Sequence, residues 1–265
     1  MQHWTTHVVI LLLYASVLCG CVQTPKHGEC SDPVVPPTRS ASDLITATLG
    51  PKAILPVWTE RHAVHQIELA SADMESHYRE VLNRALSKYP EALVLDNVDA
   101  IYLVALLDVN GRGAKGYSAN RTIFVTLLTA DREWMPDAQV EYTFHHEMSS
   151  ILLSAYPTLL DKAAWVRANP DGFRYGGWKF GDDPSLSTDA MRRDGFLIAY
   201  CQSHAINDFN CIAGSLFTCS DDIWQCASKY PRISAKLDVT IEFYRAIDPS
   251  FTKERFLSYC EKPSR

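Results

Sequence analysis

The sequence predicts an α+β domain over residues 43–265, and three observations predict it. Apolar residues recur at three- and four-residue intervals in one long stretch before residue 90 and in several after residue 136. Runs rich in Leu, Ile and Val, of strand character, lie between them. The composition is 47% hydrophobic and 21% charged over 265 residues, which excludes disordered, collagen-like and low-complexity chains. One core can serve a domain of this size, and no internal repeat divides it.

The elements follow in order. Ile67–Lys88 carries Ile67, Ala70, Met74, Tyr78, Val81, Leu82 and Leu86 at helical spacing and stops at Tyr89-Pro90. Ala92–Val109 reads as one or two buried strands, ended by the turn signal Asn110-Gly111-Arg112-Gly113. Arg121–Leu128 reads as a further strand. Asp137–Tyr156 reads as a helix, with Asp137 as a candidate N-cap after Pro136. A loop-rich stretch with Gly176, Gly177, Gly181 and Pro184 follows, and helices return at about His204–Phe217, Ile223–Lys229 and Arg232–Ile247. Helix, short sheet, then several helices is an α+β order.

The N-terminus reads as an export signal. Val8 to Leu18 is almost wholly apolar, too short for a bilayer-spanning helix of about 20 residues but the right length for the apolar core of a secretory signal. Met1–His7 has no Lys or Arg, a weak start for such a signal. Leu18-Cys19-Gly20-Cys21 resembles the lipobox of bacterial lipoproteins. The resemblance implies that residues 1–20 are removed and that Cys21 carries the lipid. Each buried CH₂ of an acyl chain adds about 0.8 kcal/mol of membrane affinity, so several chains hold firmly. Residues 21–42, with Pro25, Pro33, Pro36 and Pro37, read as a semi-rigid tether. The expected location is the bacterial cell envelope, periplasmic or outer-membrane-associated, with the membrane as partner through the N-terminal lipid. The alternatives are a plain cleaved signal and an N-terminal hydrophobic anchor.

An exported context makes the eight cysteines legible. Cys19 leaves with the signal and Cys21 takes lipid, so six remain as disulfide candidates: Cys30, Cys201, Cys211, Cys219, Cys226 and Cys260. Six cysteines allow about 15 full pairings. A small loop between Cys219 and Cys226, and a link of the two ends through Cys30 and Cys260, are two expectations. The net charge is −6 with no Lys/Arg cluster, which argues against a nucleic-acid partner.

The chemistry sits on the predicted helix Asp137–Tyr156. A zinc protease needs two His one helical turn apart and a Glu beside the first to take a proton from metal-bound water. His146-Glu147-Met148-Ser149-Ser150 supplies the first His and the Glu, but Ser150 stands where the second His belongs. His145 does not restore the spacing, because its partner position is Ser149. Taken alone, two His and a Glu on an amphipathic helix are ordinary polar groups.

Beyond the helix the chain resembles a family of zinc-binding metallopeptidases, exported and often lipid-anchored bacterial proteins with a zincin-like fold. Asp194-Gly195-Phe196-Leu197-Ile198-Ala199-Tyr200 is similar to the family's Gly-Phe-x-x-x-Tyr segment. Ser203 to Cys211 is similar to its helix with a Glu-Asp-Phe-Ala-Glu pattern, and Tyr230–Lys236 with Phe243-Tyr244 to its closing helix. The likeness covers about residues 60–250. It implies a zincin-like fold, zinc as cofactor, Glu147 as catalytic base and His146 and Asp208 as metal ligands.

The chain also departs from the family. The second metal His is Ser150, the acidic pair is Asn207-Asp208, and the later Glu is Cys211. One His and one carboxylate hold zinc too weakly for a catalytic site, which takes three protein ligands. His204, Asp208 and Cys211 stand at i, i+4 and i+7, so a displaced set of His146, His204 and Asp208 is one expectation, with Cys211 as a further ligand unless it is in a disulfide. The competing expectation is that His204 is a surface residue and Cys211 is disulfide-bonded.

Three functions follow. The first is a pseudoenzyme lipoprotein of this family, with zinc-dependent proteolysis impaired or lost and a binding or structural role toward a peptide or protein ligand. The second is an active zinc metallopeptidase with a non-standard ligand set. The third is a disulfide-stapled envelope binding protein that uses no cofactor.

Overall fold

A ten-residue strand at the centre of a mixed sheet organises the chain. The structure, a computed structural model, describes residues 39–46, 64–109, 111–176, 188–220 and 222–261. These belong to one unit that begins at Arg39. The signal, Cys21, Cys30 and most of the tether lie outside the described residues.

The strands are β1 (Ile45–Thr46), β2 (Val64–Leu69), β3 (Ala100–Val109), β4 (Arg112–Gly113), β5 (Gly116–Ala119) and β6 (Thr122–Thr126). They form one sheet in which β1, β3, β6 and β5 lie side by side, with β2 and β4 also pairing with β3. β3 runs parallel to β1 and β6, while β5 runs antiparallel to β6. Side chains alternate across β3 and β6. Ile101, Leu103, Ile123 and Val125 join the main core, and Val104 and Phe124 form a smaller cluster on the other face with Tyr117 and Ala119 of β5 packed against it.

The α-helices among the described residues are α1 (Ala72–Leu86), α2 (Glu91–Asn97), α3 (Asp137–Ala155), α4 (Lys162–Arg167), α5 (Thr188–Arg193), α6 (Ala205–Thr218), α7 (Ile223–Lys229), α8 (Pro231–Ile247) and α9 (Lys253–Ser258). The observed class is α+β, with a mixed sheet and helices. No described helix is long and apolar enough to cross a membrane.

Helix α3 is the hub, packed against α1 and α6 and against strands β5 and β6. Its Val140, Phe144, Met148, Ile151 and Leu152 follow the helical repeat into the core. Helix α6 is buried along most of its length, so few of its side chains meet water. An aromatic cluster closes the C-terminal end of the core around Phe217, whose ring stacks on Tyr89 at 4.6 Å and on His145 at 4.7 Å between centroids.

Several sequence expectations change. The first helix begins at Ala72 rather than Ile67, because Ser71 caps it by accepting from the Met74 N–H at 3.3 Å, and residues 64–69 pair with β3 instead. The run from residue 92 splits: its first part is helix α2, entered from Pro90, and only Ala100–Val109 is strand. Asp137 is the first residue of α3, and Pro136 holds the N-cap position. Cys219 bonds Cys260, with their Cα atoms 5.2 Å apart, rather than Cys226, and Cys260 does not reach back to Cys30. Cys219 ends α6 in the left-handed conformation (φ 53°), and Cys260 follows α9, so the bond ties the end of α6 to the end of the chain.

Candidate functional site

Thr143, His146, Glu147 and Ser150 stand at i, i+3, i+4 and i+7 on α3, which places them on one face. That face meets β5. Because strand residues alternate, Gly116 and Ser118 turn toward α3 while Tyr117 and Ala119 turn to the other side of the sheet. Gly116 makes the close approach possible: a Cβ there would stand 2.5 Å from Thr143 Cγ2 and 3.0 Å from Glu147 Cγ. Ser118 Oγ donates to Glu147 Oε2 at 2.7 Å.

Burial pushes the Glu147 carboxyl up to about 7, with the Ser118 hydrogen bond pulling the other way. His146 is buried between Tyr142 and Tyr200, with ring centroids 6.2 and 6.0 Å away, and burial pushes it down to about 4. Near neutral pH the site therefore holds a neutral imidazole beside a carboxyl poised between its two forms. Tyr200 lies close enough to Glu147 for the carboxylate's charge to add to the burial that raises its phenol.

Ser150, where the zinc-protease spacing calls for a second metal His, has a definite role. Asn210 Nδ2 of α6 donates to Ser150 Oγ at 2.6 Å, and Asn210 Oδ1 accepts from Ser149 Oγ at 2.6 Å. Ser149 Oγ also lies 2.7 Å from the His146 carbonyl oxygen. One amide thus fastens two consecutive serines of α3 to α6.

Asp208 is occupied elsewhere. Its Oδ2 accepts from Lys236 Nζ at 2.6 Å and from the Tyr175 hydroxyl at 2.7 Å, and neither charged side chain meets solvent. Burial pushes the Asp208 carboxyl up and the Lys236 ammonium down, and their contact opposes both shifts. Lys236 also donates to the Gly195 carbonyl at 2.9 Å and sits 3.8 Å from the Phe196 ring centroid. Gly195 has φ 92°, and a Cβ there would meet Arg232 Cβ at 2.8 Å, so only glycine brings its carbonyl to the ammonium.

The displaced ligand set is not assembled. His204 is exposed and forms the N-cap of α6 in extended conformation (φ −153°), off the helical face that holds Asp208. Cys211 is buried, lies outside the disulfide, and hydrogen-bonds the Cys201 thiol. Among the described residues, no three His, Cys, Asp or Glu side chains converge on a point where they would hold a metal ion. The donor set around His146 and Glu147 does not fit zinc, since Ser150 and Asn210 present only a hydroxyl and an amide already bonded to each other. His145 faces the opposite way, into the aromatic cluster, with its Nδ1 2.8 Å from the Tyr89 hydroxyl.

Sequence reasoning located His146, Glu147 and Ser150 but missed Gly116, Ser118, Asn210 and Lys236 as their setting. Only Lys236 left a local signal: it falls among Ile233, Leu237, Thr240 and Ile241 on the buried face of α8 and therefore demands a buried partner.

The raised Glu147 carboxyl has a consequence for stability. The folded chain holds that proton more tightly than the unfolded chain, where the ordinary value is 4.5. The stability this adds is whole below pH 4.5 and is lost as pH rises through about 7. Glu147→Gln is therefore expected to match the native chain at pH 4 and to be more stable at pH 8. The gain is at most about 3 kcal/mol, reduced by the screening that Glu147's partial exposure allows. Urea unfolding at both pH values measures it, and an equal effect at both would show that the carboxyl is not strained by burial.

Comparison of the chain with family models, with curated proteins and with solved structures finds no match.

Proposed function

We propose that this chain is a lipid-anchored envelope protein on a zincin-like scaffold, whose ancestral metal site has become a hydrogen-bonded polar cleft that binds an extended peptide without cutting it. One observation carries the reading: the Ser150 and Asp208 positions, where the family resemblance calls for metal ligands, are held instead by Asn210 and Lys236, each at 2.6 Å. The three short segments that carry the resemblance also meet in space, since Gly195, Phe196, Asp208 and Lys236 form one buried cluster. That convergence supports common ancestry more strongly than each weak motif does alone.

The binding role rests on β5. Among the described residues it is one of the edge strands of the sheet, and an edge strand offers backbone groups to an added extended segment. β5 lies directly over Glu147, so a peptide paired to it would run past Glu147 and His146. Protonated Glu147 would donate to a peptide carbonyl, while neutral His146 with Tyr142 and Tyr200 would offer ring faces to side chains.

A second reading, an active zinc metallopeptidase with a non-standard ligand set, is favoured by one observation. A carboxyl held at about 7 suits a general base. The two readings part on two measurements made on the purified chain. We expect no stoichiometric zinc by metal analysis after dialysis against zinc, and retention of members of an extended-peptide library with no new peptide termini. One zinc per chain, with cleavage that Glu147→Gln abolishes, would establish the second reading instead.

The anchor is tested separately. Mass analysis of the N-terminal peptide is expected to show acyl chains on Cys21, and Cys21→Ser is expected to release the chain from the membrane fraction. A Cys21→Ser chain that stays in that fraction with no lipid on the native peptide would contradict the lipoprotein assignment.

A further inference from the structure

Two thiols lie behind the His146–Glu147 site, and Cys211 also hydrogen-bonds Tyr142. Cys201 belongs to the short 3-10 helix Ala199–Gln202, and Cys211 to the middle of α6, against which that 3-10 helix packs. Both side chains are sealed from solvent, at 0% exposure. Their sulfurs are in hydrogen-bond contact. Two thiols enclosed together and hydrogen-bonded to each other are natural reaction partners.

We propose that Cys201 and Cys211 are a second disulfide site, closed while the chain folds in an oxidising compartment, and that the bond fixes Tyr200 beside His146. Tyr200 is the residue before Cys201, and its ring stands 6.0 Å from that of His146. A bond at Cys201 therefore pins the 3-10 helix to α6 one residue from the aromatic wall of the site.

The chemistry is thiol–disulfide exchange with an incoming low-molecular-weight or protein disulfide. The two S–H bonds break and one S–S bond forms. The two protons and two electrons pass to the incoming disulfide, which leaves as two thiols. Full burial dictates the timing: an exchange partner must reach the first thiolate before the site packs, so the bond forms during folding and is then resistant to reductant. This inference does not rest on the peptide-binding reading, and its test does not involve peptide binding or zinc.

Peptide mapping decides it. Chymotrypsin cuts after Tyr200, Phe209 and Phe217, which puts Cys201 on residues 201–209 and Cys211 on residues 210–217. The full-length chain is refolded from its reduced, unfolded state in a buffer containing a low-molecular-weight disulfide until the Cys219–Cys260 link is complete, then unfolded in N-ethylmaleimide without reductant and digested. Peptides 201–209 and 210–217 are expected as one cross-linked species carrying no maleimide. In Cys201→Ser the peptide 210–217 is expected to gain one maleimide while Cys219–Cys260 stays linked. Maleimide on both peptides of the native chain, or a link from either to a third cysteine, would overturn the assignment. Amide exchange supplies the second readout. The oxidised chain is expected to exchange residues 199–203 more slowly than the Cys201→Ser/Cys211→Ser variant, and equal rates would overturn the claim that the bond fixes Tyr200.

Discussion

A lysine ammonium enclosed against one carboxylate sets the back wall of this molecule. Lys236 of α8 and Asp208 of α6 are both closed to solvent and 2.6 Å apart, and three other stretches of chain supply their surroundings. Gly195 gives a carbonyl, Phe196 a ring face, Tyr175 a hydroxyl, and Trp165 and Asn169 hydrogen-bond that hydroxyl in turn. A buried ion pair contributes little net stability when it forms, because both charges lose water. It is strongly specifying all the same, since any packing that parts the two leaves a charge in the interior. The rotation of α6 about its own axis is thereby decided.

That rotation explains the rest of the site. At about 100° per residue, Asn210 lies some 200° around α6 from Asp208. If Asp208 faces Lys236, Asn210 faces α3, where it takes up Ser149 and Ser150. Asp208 cannot also reach His146, and a metal set built from both would require α6 to turn by about half a revolution. The serine, the asparagine and the ion pair are three expressions of one arrangement, in which side-chain hydrogen bonds hold α3, α6 and α8 together. What stays poised is Glu147, with a carboxyl near neutrality under an edge strand that glycine at 116 allows to come close.

Legibility in the sequence followed the range of the interactions. Helix α3 and helices α6, α7 and α8 were readable to within a residue or two at most ends, because the 3.6-residue repeat is a local property. Residues 67–69 fitted the same repeat, yet they pair with β3, and the Ser71 cap starts the helix only afterwards. The apolar run from residue 92 carried no periodicity able to separate helix α2 from strand β3. The site was half legible: His146, Glu147 and Ser150 share one local motif, but Ser118 lies 29 residues from Glu147 and Asn210 lies 60 from Ser150. Pairings at that separation leave no trace in a single sequence. The cysteines behaved alike, their number readable and the Cys219–Cys260 pairing not.

The account turns on whether Asp208 and Lys236 form a mandatory pair, and unfolding of single and double variants tests this most directly. Lys236→Met leaves a lone carboxylate in the core and is predicted to cost about 3–5 kcal/mol by urea unfolding at pH 7. Asp208→Asn combined with Lys236→Met removes both charges and is predicted to recover most of that loss. A Lys236→Met chain within about 1 kcal/mol of the native one, or a double variant no more stable than the single, would contradict the claim that this ion pair orients α6.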